Sequence, residues 1–146
     1  MIFLTKPSNF KANFECVSCF VETLGDILVL LRQDYKPQGN TWGLPAGKRE
    51  KDEEPLEAMV RELGEEIGLV AQPSKVDYYS TVYVRYPDVD FVYHMFRLQL
   101  PQKITIILNP REHKEFRWTS PVNALTMDLV PDLGECIRIS YGLRQD

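Results

Sequence analysis

The stretch Gly47-Lys48-Arg49-Glu50-Lys51-Asp52-Glu53-Glu54-Pro55-Leu56-Glu57-Ala58-Met59-Val60-Arg61-Glu62-Leu63-Gly64-Glu65-Glu66-Ile67-Gly68-Leu69 decides how this chain reads. Leu56, Met59, Val60, Leu63 and Ile67 recur at helical spacing, so at about 100° per residue they fall on one apolar stripe. Glu62, Glu65 and Glu66 stand at i, i+3 and i+4 and share another face, roughly 130° from the centre of that stripe. The helix docks on a core and turns its acids elsewhere. Pro55 suits a first helical position and Gly68 a left-handed cap. Glu54 falls at the N-cap; Ser or Thr would cap better, but its charge suits the positive end of the helix.

Carboxylates one turn apart repel each other, so an ordinary solvated helix gains nothing from this spacing. Most Glu-rich stretches are nevertheless just charged outer faces. The alternative is a cation site, because hard divalent ions such as Mg²⁺ or Mn²⁺ bind clustered oxygens.

Length and composition fit one globular domain spanning 1–146, able to bury about two-thirds of its unfolded surface. Hydrophobic residues make up 44% and charged residues 26%, as in ordinary globular chains. A net charge of −4 makes no electrostatic case for a nucleic-acid polymer or an anionic membrane as partner. An acidic protein that binds a polyphosphate needs positive charge between the two, and a metal supplies it. No apolar run approaches the ~18 residues of a membrane span. Met1–Pro7 lacks a basic segment followed by a long apolar one, so a cytoplasmic location is the default expectation.

Outward from the motif, the hydrophobic period changes in order. Ala12–Glu22 and Ile27–Arg32 read as strands joined by a turn at Leu24-Gly25-Asp26. Asp34–Thr41 reads as a loop and Trp42–Gly47 as irregular chain. Val76–Tyr86 and Asp90–Leu100 form a strand pair around Tyr86-Pro87-Asp88, and Ile104–Leu108 and Lys114–Trp118 read as two short strands. Ser120-Pro121 opens a short helix, and Pro131–Tyr141 a last one. Strands mixed with three helical segments predict an α/β chain with helices on the faces of a sheet.

Cys16-Val17-Ser18-Cys19 has the spacing of half a zinc site or a redox pair. It lies on a predicted strand, where residues three apart point to opposite faces, so buried, reduced thiols are the expectation. His94 shares a strand face with Val92, Phe96 and Leu98 and reads as a hydrogen-bonded core histidine.

The motif resembles the signature of the Nudix (MutT-like) hydrolases, G-x5-E-x7-R-E-U-x-E-E-x-G-U with U aliphatic. Gly47, Glu53, Arg61, Glu62, Leu63, Glu65, Glu66, Gly68 and Leu69 meet all its fixed positions. A chance match is on the order of 10⁻⁹ to 10⁻¹⁰ per starting position. The resemblance implies an α/β/α sandwich with a mixed sheet. It also implies a Mg²⁺-dependent enzyme, with Mn²⁺ as an alternative, that cleaves the diphosphate linkage of a small nucleotide. On that resemblance Glu65 and Glu66 are metal ligands, Glu62 is a ligand or the base, and the Gly47 carbonyl is a further ligand. Glu53 accepts from Arg61 and orients the cluster.

Family members often bring another acid from a later loop. Here Glu112 and Glu115 are the candidates, with Glu115 slightly favoured because it directly precedes Phe116-Arg117-Trp118. His113, Lys48 and Arg49 are candidate phosphate contacts. Trp42 either stacks a base or caps the core, and Tyr86 resembles a marker of dinucleoside polyphosphate hydrolases. Members are often homodimers, and no segment here identifies an interface. The competing class is a non-catalytic Nudix domain that senses a nucleotide; such domains usually lose part of the acid cluster, and this chain retains it all.

Overall fold

Strand pairing begins at the Leu24-Gly25 turn, where both residues take positive φ (51° and 84°) as a two-residue hairpin requires. That turn joins β2 (Phe14–Thr23) to β3 (Asp26–Arg32). The computed structural model describes residues 1–144. β6 (Asp77–Tyr86) and β7 (Val89–Gln99) form the second long hairpin. β7 runs parallel to β2 from Phe14↔Phe91 to Glu22↔Gln99, and the other pairings are antiparallel. The sheet is therefore mixed.

Short strands complete it. β1 (Ile2–Phe3) edges β6, β4 (Trp42–Gly43) and β8 (His113–Thr119) pair with β3, and β5 (Ala46–Lys48) pairs with the first half of β2. Trp42–Gly47, expected to be irregular, thus contributes two strands interrupted at Leu44-Pro45. Proline has no N–H to continue a ladder. The opposite correction applies to Ile104–Leu108, which forms no strand. Ile104, Ile106 and Leu108 are half-buried while Thr105 and Ile107 are exposed, the alternation a strand would show. Yet the Ile107 N–H donates to the Ile67 carbonyl (3.0 Å), so this segment closes a helix end instead of joining a ladder.

The motif helix α1 (Pro55–Ile67) starts and stops at the expected residues. The Glu57 carboxylate accepts from the Glu54 N–H, and Gly68 ends the helix at φ 70° with the Leu69 N–H bonded back to the Leu63 carbonyl. Its apolar stripe packs Met59, Leu63 and Ile67 onto Val17, Cys19, Val21, Leu28 and Leu30. On the other sheet face, α2 (Pro121–Ala124) and α3 (Leu133–Tyr141) cover Phe20, Ile27, Val29, Val82 and Met95. The layers are α/β/α. Cys19 and Cys136 lie in these two opposite cores. Among the described residues no helix is long and apolar enough to cross a membrane.

Leu63 is fully buried at the centre of the α1 interface. Leu63→Ala is expected to cost about 2–5 kcal/mol of stability, measured by urea unfolding, because the cavity adds to the lost burial.

Candidate active site

The acid cluster is organised by one side chain of its own helix. Arg61 grips Glu53 bidentately, Nε to Oε2 at 2.8 Å and Nη2 to Oε1 at 3.0 Å. The same guanidinium reaches Glu62 Oε1 (2.8 Å), Glu65 Oε2 (3.3 Å) and the Lys48 carbonyl (3.0 Å). Glu53 also accepts from the Glu50 N–H, so the loop before the helix is tied to the helix face. Arg61, together with that backbone bond, holds the Glu53 carboxyl down at about 2.

The three remaining acids differ in burial because they stand at different angles from the apolar stripe. Glu66, nearest Leu63 and Ile67, is buried; the Glu62 side chain is 12% exposed and that of Glu65 55%. Burial pushes the Glu62 carboxyl up to about 7, with Glu66 and Glu65 repulsion adding and Arg61 opposing. Opposite the helix, β5 brings Gly47 so close that a Cβ there would lie 2.1 Å from Glu62 Cδ. A residue without a side chain is required for the carboxylate to lie against the strand. Glu66 is fixed from the same strand, accepting the Ala46 N–H through Oε1 (3.0 Å).

These groups line a cleft of about 780 Å³. Phe14, Tyr86, Phe91 and Tyr93 make an aromatic wall, and Lys36, Lys48 and Arg32 supply positive charge. The sequence reading missed Phe14, Lys36, Phe91, Tyr93 and Asp132. Phe14 alternates with Cys16 and Phe91 with Tyr93, and that period was the available signal for one shared face.

The expected contacts divide. Lys48, Tyr86, Glu112 and His113 line the cleft. The Tyr86 hydroxyl donates to Asp132 Oδ2 (2.9 Å), and Lys48 Nζ sits 4.3 Å over the Phe14 ring. Glu112 faces Lys36 Nζ at 3.0 Å. Glu115, the favoured late acid, lies outside the cleft on β8, half exposed beside Arg117. Arg49 also lies elsewhere. Its guanidinium binds Glu15 (2.5 Å) and the Glu53 carbonyl (2.7 Å), because successive residues of extended chain point to opposite sides. Trp42 belongs to the core, buried under the Arg117 guanidinium. His94 is half-buried and bonded at both nitrogens, to Thr81 Oγ1 (3.1 Å) and Glu15 Oε1 (2.6 Å). His113, a candidate phosphate contact, turns away from that role. It opens β8, is buried, and faces Glu66.

The NUDIX domain family matches residues 13–138. The chain belongs to the Nudix hydrolase family. It is 32% identical over 117 residues to the CTP pyrophosphohydrolase of Escherichia coli, covering 80% of this chain and 83% of that protein. The solution structure of the E. coli ORF135 protein superposes with a TM-score of 0.73 at 29% identity, covering 90% of each chain. A Francisella tularensis bifunctional NMN adenylyltransferase/ADP ribose pyrophosphatase, complexed with AMP and Mn ion, superposes with a TM-score of 0.73 at 25% identity. That match covers 92% of this chain and 43% of the longer Francisella chain.

The Glu53–Arg61 pair carries a pH signature. Its stabilisation is fully present above the ordinary carboxyl value of about 4.5 and is lost as pH falls toward about 2. The stability gap between wild type and Glu53→Gln, followed by urea unfolding, is expected to hold constant above that range and shrink through it. A second expectation concerns Gly47→Ala. It displaces the Glu62 carboxylate, so activity drops while the circular-dichroism spectrum stays that of the wild type.

Proposed function

We infer that this Nudix hydrolase uses Mg²⁺ to cleave the diphosphate linkage of a nucleoside diphosphate derivative, of the nucleoside triphosphate or dinucleoside polyphosphate type. The observation that supports this most directly is the Arg61 clamp, which ties Glu53, Glu62 and Glu65 together while Glu62 lies against Gly47 at one wall of an aromatic and basic cleft. Fold and family give the reaction class; the metal, the residue roles and the substrate are our reading.

The donor set fits a hard divalent cation. Three carboxylates share one helix face, and Glu66 Oε2 is a buried oxygen with no hydrogen-bond partner among the described residues. Among the described residues no group of three His, Cys, Asp or Glu side chains already forms a metal cage, and Arg61 pairs with Glu62 and Glu65. Glu62, Glu65, Glu66 and the Gly47 carbonyl would hold the ion, with Glu112 as the acid from the late loop. When bound, it supplies charge neutralisation at the phosphates and makes a bound water more acidic.

The chain's own groups do the rest. Lys36, Lys48 and Arg32 bind phosphate oxygens. The Phe14–Phe91 stack and Tyr93 give flat apolar surface for a base. Glu62, lying against Gly47, is either a ligand of that ion or the base that accepts the proton of the attacking water. The partner is a small nucleotide in the cytoplasm, acted on by a single catalytic domain.

Product formation from CTP, dCTP, 8-oxo-dGTP, ADP-ribose and dinucleoside polyphosphates, followed by ion-exchange chromatography of the nucleotides with and without Mg²⁺, tests this reading. Turnover that depends on Mg²⁺ is expected for at least one. Tight binding of one nucleotide with no turnover of any would replace the enzyme with a sensor. Glu66→Gln is expected to lower kcat at least ~100-fold, since a lost ligand removes several kcal/mol of charge stabilisation.

A further inference from the structure

The start of β8 carries an irregularity beside the acid cluster. Arg32 pairs with His113 and Leu31 with Glu115, so Lys114 is an extra residue between consecutive pairs, a β-bulge. Without it, His113 and Glu115 would share a face, as residues two apart on a strand do. With it they separate. The Glu115 side chain is 49% exposed, whereas His113 turns into the interior and is 5% exposed. The backbone holds that turn in place: the His113 N–H donates to the Asn109 carbonyl (3.0 Å) and the Gln33 N–H to the Glu112 carbonyl (2.9 Å).

The ring that the bulge turns inward meets one atom. His113 Nδ1 lies 3.1 Å from Glu66 Oε2. Both atoms are buried, and neither makes a well-aligned hydrogen bond among the described residues. An unpartnered buried acceptor costs about 1–3 kcal/mol, and a charged one more, so two complementary orphans at contact distance are an unfinished pair. The other Glu66 oxygen is already held by the Ala46 N–H, so a bond from His113 would fix the carboxylate at both ends, between β5 and β8.

We propose that His113 is a positioning residue that donates its Nδ1 proton to Glu66 Oε2 and presets the lone pairs that Glu66 offers to the metal. The proposal rests on the metal reading of Glu66 given above. His113 itself touches neither substrate nor metal in this role. It does for Glu66 what Glu53 does for Arg61, from the opposite side of the site. The arrangement requires the tautomer with the proton on Nδ1.

Mn²⁺ binding to the free protein, titrated by electron paramagnetic resonance, measures this without turnover. His113→Leu is expected to weaken Mn²⁺ binding by about 10–100-fold, the usual cost of losing a group that orients a ligand. His113→Asn places an amide donor near the Nδ1 position and is expected to bind close to wild type. Wild-type affinity in His113→Leu would overturn the assignment. So would a folded His113→Asn protein as weak as His113→Leu, because cavity filling would then be the role. Histidine ¹⁵N NMR of the wild-type protein needs no variant: a proton on Nδ1 supports the proposal, and a bare Nδ1 with the proton on Nε2 overturns it. Failure of the wild type to bind Mn²⁺ would instead sink the metal reading itself, whatever the tautomer.

Discussion

Everything at this site depends on the Arg61 guanidinium, which lies among Glu50, Glu53, Glu62 and Glu65 and also bonds the Lys48 carbonyl. A planar fork with fixed donors can satisfy a bidentate carboxylate and still reach others, which a lysine ammonium cannot do with the same geometry. Without that charge, Glu62 and Glu65 would stand within one turn of each other and of Glu66 with their ion pair lost. Arg61 makes the acid face compatible with a folded helix. By binding Lys48 and Glu53 as well, it sets where β5 and the loop before α1 lie against the helix.

A second polar chain runs behind this one. Arg49 bonds the Glu53 carbonyl and Glu15, Glu15 accepts from His94, and His94 meets Thr81, whose hydroxyl meets Tyr78. It links the loop before α1 to three adjacent strands. The cleft and the polar chain therefore use neighbouring residues for different ends. Lys48 faces the cleft and Arg49 the scaffold.

The opposite wall of the cleft has no counterpart to the acid motif. It is assembled from the first residues of β2, the ends of the β6–β7 hairpin and the segment leading into α3. Four aromatic side chains stand there, and Asp132 is the acid beside them, held by Tyr86 at a backbone position with φ 67°. The acid cluster and the aromatic wall thus sit on different elements. The first is bound to one helix and one glycine, whereas the second is spread over strand ends and loops.

The contiguous stretch Gly47–Leu69 determined by itself the helix, its caps and the apolar stripe. Each depends on spacing along one chain segment, and helical periodicity is a local property. The two hairpins were legible for the same reason, from alternation and turn residues. The sequence left open which segments would pair. Ile104–Leu108 has a strand's alternation but lies against a helix end, and Trp42–Gly47 lacks the alternation but finds partners in β2 and β3. The placement of Glu115 outside the cleft, and the inward turn of His113, rest on one extra residue in the β3–β8 register. Only the tertiary structure decided these, because hydrogen-bond register and the face a side chain takes are set by the partner strand.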